Sequence, residues 1–172
     1  MHKLQSDEYA LFYRPYIDIL LDNDKSIIEN LLDSHEKAIQ ILGNLDIEKQ
    51  LFQYAEGKWT IKELIQHIID AERVFNYRAL RFARNDTSEL SGFDENQFVS
   101  QSNANKRDYK DLLEEFSLLR RSTILMYKNF SSDTLILKGK ASGEFISVRA
   151  LGFITSGHLL HHLHIINSRY LS

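Results

Sequence analysis

Apolar residues recur at helical spacing in several stretches of the chain. From about Asp24 to Leu42 they form a stripe along one side, and Gly43, a residue that often ends helices, follows directly. A second such stripe runs from about Lys106 to Asn129. The pattern therefore predicts two amphipathic helices. Tyr9 to Leu21 is rich in aromatic residues and is predicted to pack around them, partly as helix after Pro15.

Two further helices have recognisable starts. Thr60 and Glu63 form a capping box, after which apolar residues continue along one face until about Arg84. Ser147 is a suitable N-cap for a helix that continues to about Tyr170. The pattern thus predicts four helices in all.

The connections between these helices predict their arrangement. The segment 85–105 has no periodicity but is long enough to span a helix, so helices two and three can run parallel through a crossover. Helix four would then run antiparallel to helix two, after residues 131–144, where a weak signal indicates a short hairpin. The predicted fold class is all-α, a four-helix bundle with a long crossover between helices two and three.

Composition agrees with a helical protein and excludes several functions. The 172 residues include one proline and seven glycines, and the length suits a single domain over residues 1–172. A net charge of −3 gives no general attraction to nucleic acid. No apolar run is long enough to span a membrane, so a soluble cytoplasmic protein is predicted. The chain has no cysteine, so any thiol chemistry requires an external thiol.

Histidines near the end of the chain are the strongest candidates for chemistry. His158 and His162 are four residues apart, so a helix places them on one face, where they can hold a single metal ion. His67 is seven residues after Thr60, and in an antiparallel pair of helices it would lie at a similar height to His162. A lone inward histidine is more often a core residue than a ligand, but the pair favours a metal site formed by all three.

Other polar residues have less certain roles. His161 could support a ligand or simply pack, since it is about 60° around the helix from His158. Asp70 and Glu72 could orient the ligands, but a surface position for Asp70 and an ion pair of Glu72 with Arg120 or Arg149 are the plainer interpretations. The remaining histidines are expected at the surface: His2, His35 and His164.

A few residues could form a substrate cleft. Arg78 is on the face of its helix that carries His67, where it could bind an anionic substrate or pair within the bundle, and the structural role is favoured. The aromatic residues Phe93, Phe98 and Tyr109, near the long connection, could line a cleft or fill one end of the bundle.

Taken together, these motifs resemble the DinB-like superfamily in order and spacing over nearly the whole chain. The matching segments are Gly57-Lys-Trp-Thr-Ile-Lys-Glu63, His67-Ile-Ile-Asp-Ala-Glu-Arg73, Tyr77-Arg-Ala-Leu-Arg81, Gly92-Phe-Asp94, Arg120, Ser147-Val-Arg-Ala150 and Gly157-His-Leu-Leu-His-His162. The resemblance implies a four-helix bundle with a divalent metal held by His67, His158 and His162. Relatives include bacillithiol transferases, mycothiol-dependent maleylpyruvate isomerases and metal-dependent hydrolases.

The expected function is accordingly that of a metal-dependent enzyme with zinc or nickel at the three histidines. It would act on a small molecule as a thiol S-transferase, using a low-molecular-weight thiol, or as a hydrolase. The alternative is a non-catalytic metal-binding protein that acts in a stress response or through association. A homodimer is also expected, because such bundles often pair through helices.

Overall fold

Four long helices form the framework of the protein, at bounds close to those predicted. The computed structural model describes residues 4–21 and 23–171. The four helices are α2 (Ile27–Leu42), α4 (Ile61–Ala83), α6 (Tyr109–Lys128) and α8 (Val148–Ile165). Each begins at a residue whose side chain accepts a backbone hydrogen bond, and these N-caps are Ser26, Thr60, Asp108 and Ser147. The all-α class is confirmed, with one small hairpin added.

Shorter elements join and cover the bundle. The N-terminal segment forms a 3₁₀ turn, Leu11–Tyr13, and helix α1, Arg14–Asp18. The other short helices are α3 (Ile47–Gln50), α5 (Glu95–Gln101), a 3₁₀ turn at Ala104–Lys106, and α7 (Ser132–Leu135). Strands β1 (Lys138–Ala141) and β2 (Glu144–Ser147) pair antiparallel as the hairpin that the sequence indicated. Within the described residues, no helix is long and apolar enough to cross a membrane.

Some predicted boundaries were wrong. The first long helix begins at Ile27 rather than near Asp24, because Ser26 and Glu29 form a capping box that fixes its start. The final α-helix stops at Ile165, and a π-helical turn, Ile166–Tyr170, completes the segment. The crossover is not structureless, since Asp94 caps the seven-residue helix α5 within it.

Hydrogen bonds between helices establish their directions. Thr60, at the start of α4, contacts Asn105 before α6 at 2.6 Å, and Asn76 contacts Thr123 further along both helices, also at 2.6 Å. Because their starts lie together and later residues also pair in order, α4 and α6 run parallel. The crossover prediction is therefore correct.

Helix α8 runs antiparallel to α4. The hydroxyl of Tyr170, beyond the end of α8, donates to the carbonyl of Trp59 before α4 at 2.7 Å. Further along α4, the ring of Phe75 lies 5.7 Å from that of His158, earlier in α8. This arrangement brings the histidines of α8 opposite the first half of α4.

A buried ion pair joins three of the four helices. Arg120 of α6 donates to both carboxylate oxygens of Glu72 on α4, at 2.8 to 3.1 Å. The same guanidinium donates to the carbonyl of Leu31 at 3.0 Å and to the hydroxyl of Ser34 at 2.7 Å, both on α2. Its side chain is 1 % exposed and that of Glu72 is 2 % exposed. The pair therefore fixes the relative heights of α2, α4 and α6.

The N-terminal segment is attached to the start of α8 by a second carboxylate. Glu8 accepts hydrogen bonds from the Ser147 hydroxyl at 2.9 Å and from Arg149 at 2.5 and 2.6 Å. Burial acts to raise the pKa of Glu8, but hydrogen bonds from Arg149, the backbone of Gln5 and Ser147 outweigh it and lower the pKa. Tyr13, Ile17 and Leu20 then pack into the core.

Replacing Glu72 with glutamine should destabilise the bundle strongly. The change leaves the buried Arg120 charge without its counter-ion, for an expected loss of about 3–5 kcal/mol in the free energy of unfolding. Denaturant titration would measure it. Glu115→Gln is the matched control, because that carboxylate pairs with Arg73 and Arg107 nearer the surface and should cost at most about 1 kcal/mol. Equal losses in the two variants would contradict this role.

Glu8 should make stability sensitive to acid. Its pKa is lower in the folded protein, so its contribution is present above the unfolded-state pKa, about 4.3, and is lost as pH falls through the folded value. Glu8→Gln should therefore lower the Tm at pH 7, and the difference from wild type should shrink below pH 4. Exposed Glu144, replaced by glutamine, is the control. A Tm difference that is independent of pH would refute the linkage.

Candidate metal centre

Three histidine side chains meet between α4 and α8. The α-helix places His158 and His162 one turn apart on one face, and the antiparallel packing brings His67 opposite them. Their Nε2 atoms form a triangle with sides of 3.0, 3.0 and 3.2 Å. We call this group the three-histidine cluster. Of the seven histidines in the chain, it contains the three that the spacing predicted would converge.

The size of this triangle fits a divalent metal. At the usual zinc–nitrogen distance of about 2.0–2.1 Å, nitrogens so spaced would subtend angles of roughly 91–106° at the metal, between octahedral and tetrahedral values. Three ligands on one side of an ion leave its opposite side open. The described residues contain no other group of three or more histidine, aspartate or glutamate side chains with a comparable arrangement.

The cluster is electrostatically suited to hold a cation. Burial lowers the pKa of His67 to about 4, and burial together with the neighbouring imidazoles lowers that of His162 to about 3. The pKa of His158 is also well below its usual value, for the same reasons. All three rings are therefore neutral at pH 7. Neutral imidazoles whose nitrogens converge can donate their lone pairs to a metal.

Aromatic rings surround the cluster. Trp59, the residue before the N-cap of α4, has its indole 4.8 Å from the ring of His67. Tyr16 and Phe75 contact His158 edge-on, at centroid distances of 5.2 and 5.7 Å. These rings restrict the approach of water to the histidines, which are at most 8 % exposed.

The polar residues considered as supports for the ligands lie elsewhere. Glu72 pairs with Arg120, as the plainer interpretation held, and Asp70 accepts a hydrogen bond from Gln66 at 2.9 Å. His161 makes ring contacts with Tyr16 at 5.4 Å and with His162 at 5.3 Å. Among the described residues, nothing accepts a hydrogen bond from the buried Nδ1 of His162. That ring is positioned by packing.

A cavity of about 370 Å³ opens beside the cluster. Its walls come from α4 and α8, from the N-terminal segment, from the crossover and from the β1–β2 turn. The residues that line it besides the three histidines are Phe12, Tyr13, Tyr16, Trp59, Ala71, Phe75, Arg78, Phe93, Glu95, Asn96 and Ser142. The cavity therefore combines mostly aromatic walls with a few polar groups, as small-molecule sites commonly do.

The sequence identified only part of this cavity. Phe93 lines it, which is one of the two roles considered for it, whereas Phe98 packs against Phe93 outside the lining, with ring centroids 5.0 Å apart. Tyr109 fills the bundle end, where its hydroxyl donates to the carbonyl of Leu42 at 2.8 Å. Glu95 and Ser142 were missed. The one available signal for Ser142 was the Ser-Gly dipeptide of the hairpin turn.

Two of the remaining histidines, His35 and His164, do not belong to the cluster. His164 is exposed, as predicted. His35 is half-buried rather than at the surface, because its Nε2 lies 3.0 Å from the Ser117 hydroxyl and its ring packs on Phe116. His2 is outside the described residues.

The sequence and the fold can both be compared with known proteins. Residues 30–166, well over half of the chain, match the model of the DinB superfamily. The chain belongs to the DinB superfamily. Among curated proteins, none matches it significantly in sequence. Membership accounts for the presence in one chain of both the sequence motifs that resemble this superfamily and the four-helix bundle.

Two solved structures share the DinB fold with this chain. YfiT from Bacillus subtilis, described as a probable metal-dependent hydrolase with an unusual four-helix bundle topology, aligns with a TM-score of 0.73 at 14% identity, covering 97% of this chain and 90% of YfiT. The mycothiol-dependent maleylpyruvate isomerase aligns with a TM-score of 0.66 at 13% identity over 79% of this chain. The chain spans only 57% of that isomerase. At these identities the likeness shows the fold alone.

Gly157→Ala should displace the wall formed by Tyr16. A Cβ at residue 157 would lie 2.0 Å from the backbone oxygen of Tyr16, so α1 must move away from α8. We expect faster amide hydrogen exchange across residues 11–21 while the bundle helices stay protected. Ser156→Ala is the control, since its buried hydroxyl has no partner among the described residues. Unchanged exchange in Gly157→Ala would show that the contact can relax locally.

Proposed function

We propose that this DinB-superfamily protein is a metal-dependent enzyme acting on a small molecule, with His67, His158 and His162 as the ligands of zinc or nickel. The observation that carries the proposal is the triangle of Nε2 atoms, 3.0 to 3.2 Å on each side, at the wall of a cavity. The descriptions of the two similar structures, one a probable metal-dependent hydrolase and one a mycothiol-dependent isomerase, support it.

The reaction class follows from what can bind opposite the histidines. A divalent cation held there would supply Lewis acidity that lowers the pKa of a coordinated water or thiol. The chain has no cysteine, so a thiol reactant would be a separate low-molecular-weight compound. Trp59, Tyr16 and Phe75 would limit the access of bulk water to the reacting atoms. We therefore infer either a thiol S-transferase or a hydrolase.

The alternative is a metal-binding protein without catalysis that acts by association. An exposed apolar helix face with no cleft beside the histidines would favour it, whereas a cavity of about 370 Å³ opens there. The cavity therefore favours the enzyme. A homodimer and a cytoplasmic location remain predictions from the sequence.

Metal content tests the cluster directly. Protein purified without chelators or metal-affinity steps should contain close to one zinc or nickel ion per chain by elemental analysis. His158→Ala should lose most of this metal, because it removes one of three ligands. His164→Ala, an exposed histidine of the same helix, should keep it. Folded wild-type protein that binds no divalent metal would refute the proposed centre.

A reaction screen separates the classes. Metal-loaded protein would be offered low-molecular-weight thiols with electrophiles, and separately esters and amides, with product detection by mass spectrometry. Products that need both thiol and metal identify a transferase. Metal-dependent hydrolysis without thiol identifies a hydrolase. The absence of both, in protein that holds metal, would favour the non-catalytic alternative.

A further inference from the structure

Arg78 is a buried cation with no anionic partner in the part of the chain that the structure describes. The residue is 3 % exposed, on α4, and its guanidinium donates to the Tyr13 hydroxyl at 3.2 Å, the Ser91 carbonyl at 3.1 Å and the Ser142 hydroxyl at 2.9 Å. All three acceptors are neutral. Within residues 4–21 and 23–171, its guanidinium forms no ion pair. Three hydrogen bonds also leave two of the five guanidinium N–H donors unused.

The contrast with Arg120 shows how unusual this is. Arg120 is similarly buried, but the carboxylate of Glu72 neutralises its charge through a bidentate ion pair. A buried charge without a counter-ion is costly, so such groups are normally paired. Glu95 lines the same cavity but is exposed and makes no ion pair with Arg78. The described residues therefore provide no counter-ion for Arg78.

Arg78 is placed where the anionic group of a ligand could pair with its guanidinium. It lines the same cavity as the three-histidine cluster. Eleven residues separate it from His67 on α4, about 16 Å of helix rise, so a ligand reaching both must be elongated. The Tyr13 hydroxyl and the Ser142 hydroxyl accept hydrogen bonds from the guanidinium and thereby hold it in place. Each hydroxyl keeps its own proton, which it could donate to an anion beside Arg78.

We propose that Arg78 binds the anionic end, a carboxylate or a phosphate, of an elongated small-molecule substrate whose reacting end lies at His67, His158 and His162. The proposal rests on the metal-dependent function above, because it places the opposite end of the substrate at the metal. It goes beyond that function by naming the class of substrate and the residue that selects it. Arg78 acts in binding and orientation and takes no part in the chemical step.

Matched thiol probes can test this on the cobalt-loaded protein. The visible spectrum of cobalt(II) reports thiol binding at the metal, independently of any activity. The probes are alkyl thiols ending in a carboxylate, a phosphonate, a neutral hydroxyl or an ammonium group, each in a series of lengths too long to chelate the metal at both ends. In wild type, the anionic probes should bind about tenfold or more tightly than the hydroxyl probes, over a narrow range of lengths. The anion that binds more tightly identifies the substrate group.

Variants assign the preference to Arg78. Arg78→Met should abolish the advantage of the anionic probes while hydroxyl probes bind as before, and Arg78→Lys should retain part of it. Arg81→Gln is the control, because Arg81 is on the same helix, pairs with Asp86 and does not line the cavity. It should leave the preference intact. If Arg78→Met does not fold, the ammonium probes give the test in wild type, where they should bind worst.

The outcomes separate the two proposals. Equal binding of anionic and hydroxyl probes at every length, or tightest binding of the ammonium probes, would overturn the role of Arg78 and leave the metal centre standing. Loss of the preference in Arg81→Gln would also overturn it. If the protein takes up no cobalt, or no probe alters the cobalt spectrum, it is the proposed metal-dependent function that fails.

Discussion

The buried pair of Glu72 and Arg120 is the interaction on which the geometry of this bundle depends. It lies where one apolar cluster of the core, around Leu31 and Ile124, gives way to the other, around Ala38 and Phe116. Apolar attraction is non-directional, whereas a bidentate ion pair with further hydrogen bonds permits one alignment. The pair thus sets the relative heights of three helices, although such pairs add little net stability.

That alignment extends to the three-histidine cluster because α4 carries both Glu72 and His67. Glu72 is about 140° around the helix from His67, so one side of α4 is fixed against α2 and α6 while the other presents its histidine to α8. The triangle of Nε2 atoms has sides that differ by only 0.2 Å. A shift of α4 along its axis by one residue, about 1.5 Å, would move the His67 Nε2 atom away from the other two and destroy this near-equilateral triangle. The ion pair and the histidine cluster are thus two consequences of one helix position.

The sequence predicted most of the bundle and the cluster because both follow local rules. Thr60 and Ser147 cap helices as their side-chain chemistry requires, and His158 and His162 share a face because helical spacing places them there. The convergence of His67 needed one further assumption, the parallel crossover. The cavity was far less predictable. Tyr16 and Ser142 belong to short or aperiodic segments whose positions depend on contacts between residues distant in sequence, which no local pattern encodes.

The attachment of the N-terminal segment through Glu8 has a consequence for how the site forms. Glu8 and Arg149 are 141 positions apart, so the aromatic wall from Tyr16 can close only after nearly the entire intervening chain has found its place. Contacts of such long range form late, because the entropy lost on closing a long loop must be compensated by structure already present. An intermediate with its helices assembled but this segment still detached would expose the histidines to solvent.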